Sequence, residues 1–159
     1  MIIERIPLPR AVPGSASLNG MAAAAEFEKL AQVALFDQTV RVTLDGWPCR
    51  AVMALPIAPV LDPLSVAITA DGEPFESYAI ITGQRPALRL TGARPSGLVV
   101  IEYTAGFGDA MDDLPADIRQ AIQDQAAVQQ DVRGARALGR DTLSPHMARV
   151  VARYRRVSV

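Results

Sequence analysis

The amino-acid sequence predicts an α+β fold, with helices over residues 21–36 and 115–133 packed with an antiparallel sheet or small barrel over residues 38–104. Three observations predict it. Residues 21–36 are almost all strong helix formers. Residues 38–104 switch to a period of two, broken repeatedly by Gly and Pro. At Pro115 the period returns to that of a helix. The sequence also predicts an extended arm over residues 1–20 and a basic tail over 135–159 that ends in a short docking helix. The resulting division is an arm over 1–20, a central domain of helix, β-rich segment and helix over 21–134, and a basic tail over 135–159.

Residues 1–20 alternate apolar side chains with Pro7, Pro9, Pro13, Gly14 and Gly20. Proline removes backbone donors and resists helix, so the segment reads as an extended arm or as a disordered terminus. In the first helix Phe27, Leu30, Ala31 and Ala34 fall on one face. Val40, Val42 and Leu44 then alternate with Arg41 and Thr43, which is strand spacing, and Asp45-Gly46 turns the chain. Further strands are predicted at 50–55, 64–70, 77–82, 86–91 and 97–104. Short strands at this spacing favour an antiparallel arrangement over alternating βα units.

The second helix carries an apolar stripe of Ile118, Ala121, Ile122 and Ala126. Asp112, Asp113 and Asp117 stand at its positive end. Gln120, Gln123, Gln125, Gln129 and Gln130 make the rest of its surface polar without net charge. Gly134 and Gly139 punctuate a linker. A third helix is predicted over 145–156, capped by Ser144 and opened by Pro145. Its Met147, Val150, Val151 and Tyr154 share one face, with His146, Arg149, Arg153 and Arg156 opposite.

Composition narrows the function. The chain has 159 residues, half of them hydrophobic, enough for one domain with a real core. No apolar run approaches the roughly 18 residues of a membrane helix, so no membrane partner is expected. Glu4, Pro7 and Pro9 make the first residues a poor signal peptide. The single cysteine, Cys49, forms no internal disulfide and fits a reducing compartment at assembly. The net charge of −1 conceals a segregation. Residues 1–131 carry 9 basic and 16 acidic residues, a balance of −7, whereas residues 132–159 carry 7 arginines against one acid, a balance of +6. An end so different from the body points to a different partner.

No constellation of catalytic residues emerges. Gly106-Phe-Gly has neither the dinucleotide nor the P-loop spacing, and the acids after it would repel phosphate; it reads as a turn. Asp109, Asp112 and Asp113 lack the ligand spacing of a calcium loop and read as a helix-starting acidic cluster. Glu73 and Glu76 flank Pro74 in a loop and read as surface carboxylates. Cys49 has only His146 as a base, and the single histidine rules out a multi-histidine metal site within one chain. No cofactor and no metal is expected. Trp47 reads as core or interface filler. Arg133, Arg136, Arg140, Arg149, Arg153, Arg155 and Arg156 leave three readings open. They could neutralise phosphates, dock on a partner protein beside the apolar stripe, or be solvated while that stripe packs on the chain's own core.

Several segments, in this order, resemble one known family. They are the helix leading into Val40-Arg-Val-Thr-Leu-Asp-Gly-Trp-Pro, the Leu-Pro link Ala54-Leu-Pro-Ile-Ala-Pro-Val, and Ser65-Val-Ala-Ile-Thr-Ala-Asp-Gly-Glu. Val100-Ile-Glu-Tyr-Thr-Ala-Gly-Phe-Gly, Leu114-Pro-Ala-Asp-Ile-Arg-Gln-Ala-Ile and a late Tyr154-Arg-Arg complete the pattern. From about residue 22 onward the chain resembles the head–tail connector (adaptor) family of long-tailed phages and gene transfer agents. The run from Tyr103 to Ile122 is its most specific part. At the front the chain departs from the family, whose members carry more helix before the first strand.

The resemblance implies a structural, non-enzymatic protein at the particle neck, assembled in the host cytoplasm. It implies a ring of twelve copies beneath the portal protein, joined to a stopper or tail-terminator protein. DNA would pass through the lumen without sequence-specific binding. Physics adds the candidate surfaces. A closed ring needs two different faces of one subunit to match. Gln120, Gln123, Gln125, Gln129 and Gln130 suit a subunit interface that buries no net charge. Met147, Arg149, Val150, Val151, Arg153, Tyr154, Arg155 and Arg156 suit docking on the portal. The alternative is a DNA-binding accessory protein that uses the arginine-rich tail; a small enzyme with a β-barrel pocket ranks last.

Overall fold

The computed structural model describes residues 1–8, 18–83, 85–134 and 143–155. The chain divides into two compact units, each built from two separated stretches. One unit comprises Met1–Pro9 with Phe36–Phe107, the other Arg10–Leu35 with Gly108–Val159.

The first unit is all β apart from a 3₁₀ turn at Pro63–Ser65. Its strands are β1 (Ile2–Pro7), β2 (Gln38–Leu44), β3 (Val52–Ala54), β4 (Ala67–Ala70), β5 (Glu73–Pro74), β6 (Tyr78–Ile81), β7 (Ala87–Leu90) and β8 (Val99–Ala105). They form two separate antiparallel sheets, one of five strands in the order β1-β2-β8-β4-β5 and one of three in the order β3-β7-β6. Among the described residues no barrel closes, because the larger sheet ends in the edge strands β1 and β5.

The alternation seen in the sequence sets the register. Val40, Val42 and Leu44 of β2 stand opposite Tyr103, Ile101 and Val99 of β8, and all six are buried. Sharing one face puts them in the core, and a slip of one residue would turn the whole set to solvent. Tyr103 is the largest fully buried side chain. Its hydroxyl accepts the N–H of Ile57 and donates to the Ile57 carbonyl, each at 3.1 Å, which ties the Leu-Pro link to the central strand. Asp71 (φ +50°) and Gly72 (φ +86°) turn β4 into β5, both with positive φ as a tight hairpin requires. At the end of β8, Gly106 (φ +147°) lies against the backbone of Phe36 and Asp37, where a Cβ would come within 2.6 Å. The Gly106-Phe-Gly segment therefore serves backbone packing.

The expected arm over residues 1–20 is a strand at its start and gives way to α1 from Leu18. Ile2–Pro7 is extended as expected, but it is a paired strand, held along its whole length by β2 from Ile2 opposite Thr43 to Pro7 opposite Gln38. Isoleucines at 2, 3 and 6 favour strand strongly enough to outweigh the prolines near them. The rest of the expected arm, residues 9–17, lies outside the described residues.

The second unit is helical: α1 (Leu18–Ala31), α2 (Ala116–Gly134) and α3 (Pro145–Tyr154) pack against one another. α1 begins earlier and ends earlier than the sequence implied, stopping where Gln32 takes a positive φ of 55°. Ala23, Phe27 and Ala31 of α1, Ile118, Ala121 and Ile122 of α2, and Met147 of α3 are all at most 1% exposed and form the core. A fully buried side chain such as Phe27 contributes about 1.5–3 kcal/mol. α3 starts as expected, with Ser144 Oγ accepting the N–H of Met147 at 3.1 Å. Among the described residues no helix is long and apolar enough to cross a membrane.

Candidate assembly surfaces

The helical unit holds the residues singled out for docking and subunit contact, and it sorts them into two groups. The apolar stripe of α3 faces inward. Met147, Val150 and Val151 are buried, and Tyr154 is half-buried with its ring edge-on to Phe27 (centroids 6.2 Å apart, planes at 63°). Of the three readings left open for this segment, packing on the chain's own core is the one realised for the stripe. The amphipathic pattern is the reason: a helix this short gains its stability from tertiary burial of its apolar face.

Arg149 and Arg153 on α3 and Arg155 at its C-terminal cap remain exposed. Arg153 reaches Asp117 at 3.2 Å and lies over the Tyr154 ring at 5.9 Å. Arg156, with Arg136, Arg140 and the linker around Gly139, falls outside the described residues.

Asp117 is a junction between α2 and α3. The Tyr154 hydroxyl donates to its carboxylate at 3.3 Å. Partial burial, the Asp117 charge and this hydrogen bond push the Tyr154 phenol above its usual value, and Arg153 pulls weakly the other way. Burial also raises Tyr78, with the nearby Glu76 adding to it.

The glutamine row splits as well. Gln120, Gln123 and Gln130 are exposed on α2. Gln125 is 2% exposed and committed within the subunit: its amide donates to Glu26 at 3.0 Å and its carbonyl accepts the Ser144 N–H at 2.7 Å. The half-buried Gln129 donates to the same Glu26 oxygen at 3.0 Å. Gln125 therefore binds α1, α2 and the start of α3 together and is not available to a neighbouring copy. A signal for this was present in the sequence: position 125 lies seven residues after Ile118, on the apolar face.

The other polar residues are spent locally. Asp113 accepts the N–H of Ala110 at 3.0 Å, and Asp112 pairs with Arg119 at 3.0 Å. His146 Nδ1 lies 2.7 Å from Asp124. Trp47 is buried and donates to the Arg50 carbonyl at 3.2 Å, while Cys49 is exposed. Among the described residues no group of three or more His, Cys, Asp or Glu is placed to hold a metal ion. The arrangement is one of packing and exposed surfaces.

Comparison with known proteins agrees with that chemistry. The fold is that of a structural neck component of a phage-like particle, as the sequence resemblance implied. It is shared with a chain from the neck of a native gene transfer agent (GTA) particle computed with C12 symmetry. That chain is 27% identical, the match covers 100% of this chain and 97% of that one, and the TM-score is 0.76. Chains from the neck of an empty GTA particle computed with C6 symmetry and from the virion of a native GTA particle are each 25% identical. Both match over the same shares, with a TM-score of 0.74. No family model and no curated protein sequence matches.

Proposed function

We propose that this protein is a head–tail connector of the particle neck, one of twelve identical copies in a ring between the portal and the tail or stopper protein. The observation that carries the reading is the full-length likeness to chains of the GTA neck. A neck computed with C12 symmetry supports twelve copies. The role is mechanical: the subunit is a shaped spacer, its contacts join head to tail, and no bond is made or broken.

Within that reading, the exposed Arg149, Arg153 and Arg155 carry the docking on the portal, with Met147, Val150 and Val151 supporting them from beneath. Gln120, Gln123 and Gln130 offer an uncharged polar face to a neighbouring copy. The acidic balance of residues 1–131 suits a lumen along which DNA slides, because like charge repels the phosphates.

The test is genetic and visual. Particles made without this chain should accumulate as DNA-filled heads lacking tails, and adding the protein back should restore tail joining. Tailed, infective or DNA-delivering particles assembled in its absence would overturn the proposal.

A further inference from the structure

One edge of the five-stranded sheet is β1; on the opposite side, where β5 pairs only with Thr69 and Ala70, the segment around Leu61 lies beside the end of β8. At one edge, all six residues of β1 are exposed. Ile2, Ile3 and Ile6 are 62%, 38% and 46% exposed, so this strand is held by backbone pairing to β2 and buries little apolar surface. An exposed apolar edge strand is a template for another chain. The register carries one row across the sheet: Ile6 stands opposite Thr39, and Thr39 opposite Thr104 of β8. Beyond Thr104 the row reaches the segment before β4, where the Leu61 N–H donates to the Thr104 carbonyl and Ser65 Oγ accepts the Thr104 N–H. That far side carries Leu61 at 44% and Leu64 at 92% exposure.

We propose that these two sides meet between successive copies in the ring, the β1 edge of one subunit packing against the exposed Leu61 and Leu64 of the next. A second copy is the occupant that fits. A ring is closed by heterologous contacts, which need two different surfaces on opposite sides of one subunit. The sheet supplies such a pair, each carrying exposed apolar side chains: Ile2, Ile3 and Ile6 on one side, Leu61 and Leu64 on the other. The proposal rests on the ring architecture of the proposed function, and it assigns the subunit contact to the β unit in addition to the glutamine face of α2.

The test uses particles carrying the full chain. In a Cys49→Ser background, which removes the exposed native thiol, Ile6→Cys and Leu64→Cys are introduced together and the purified particles are treated with a short bis-maleimide. The expected result is a ladder of covalent dimers, trimers and larger species that neither single cysteine variant gives. Monomer bands alone, from particles that contain the protein at the neck, overturn the edge contact and leave the connector function standing. Absence of the protein from particles made with the unaltered chain overturns both. A second variant, Leu64→Glu, sits at an open position. It should leave the melting of the free protein unchanged and lower incorporation into particles by about tenfold or more; incorporation at the parental level overturns the edge contact.

Discussion

Glu26 on α1 and Gln125 on α2, 99 residues apart in the chain, are joined by a 3.0 Å hydrogen bond from the Gln125 amide to the Glu26 carboxylate. The same glutamine accepts the Ser144 N–H, so one side chain ties three helices together. A residue that reads as surface in the sequence is in fact the polar centre of the helical unit.

Removing that centre should cost stability. Gln125→Ala leaves the Ser144 N–H without its acceptor and the Glu26 carboxylate with one donor fewer. A loss of about 1–3 kcal/mol is expected. Gln120→Ala and Gln123→Ala, both at exposed positions, should stay within about 0.5 kcal/mol of the parent. Urea unfolding of the three variants checks this; equal effects at 120 and 125 would contradict the assignment.

Tyr103 offers a parallel test in the β unit. Tyr103→Phe keeps the ring in the core and deletes the hydroxyl that serves both backbone groups of Ile57. Two buried groups lose their partner, so a destabilisation of about 1–3 kcal/mol is expected. Hydrogen exchange should quicken at the Ile57 amide before it does so in β2.

The two faces of α3 should separate by phenotype. Met147→Ala opens a cavity under a fully buried side chain and should cost about 2–5 kcal/mol. Arg149→Glu with Arg155→Glu changes only exposed positions and should leave the melting temperature nearly unchanged while abolishing the joining of tails to filled heads. Charge reversal is a cleaner test than deletion of residues 141–159, which would also strip Met147, Val150 and Val151 from the core. Normal tail joining by the double arginine variant would remove these residues from the docking surface.

Stability should fall at alkaline pH. Tyr154 and Tyr78 are both raised above the ordinary 10.0 in the folded protein. Above that value the unfolded chain releases these protons first, so the folded state binds more protons and the free energy of unfolding declines as pH rises. Their contribution is fully present below pH 10.0 and is lost as pH climbs through the raised folded values. Unfolding measured on either side of about pH 10 should show this slope. The double variant Tyr78→Phe, Tyr154→Phe should flatten it.

Much of the fold was legible because local chemistry fixes it. The alternation of Val40, Val42 and Leu44, the helix start at Pro115 and the Ser144-Pro145 cap each specify an element without reference to distant residues. β1 was harder to see, because a strand of exposed residues has no burial pattern to announce it. Its pairing depends on β2, which lies some thirty residues further on. β5 has only two residues, too few for any periodicity.

By itself the sequence determined the α+β class, the order of most elements and the resemblance to head–tail connectors, since periodicity, caps and turn residues act over a few positions. Only the tertiary structure decided which residues of one apparent surface face outward. It drew Gln125 and the apolar side of α3 into the core and left Gln120, Gln123 and the arginines of α3 outside. The physical reason is that burial is a property of packed neighbours. Spacing along one helix defines its faces, but the helices packed against it choose which face meets water.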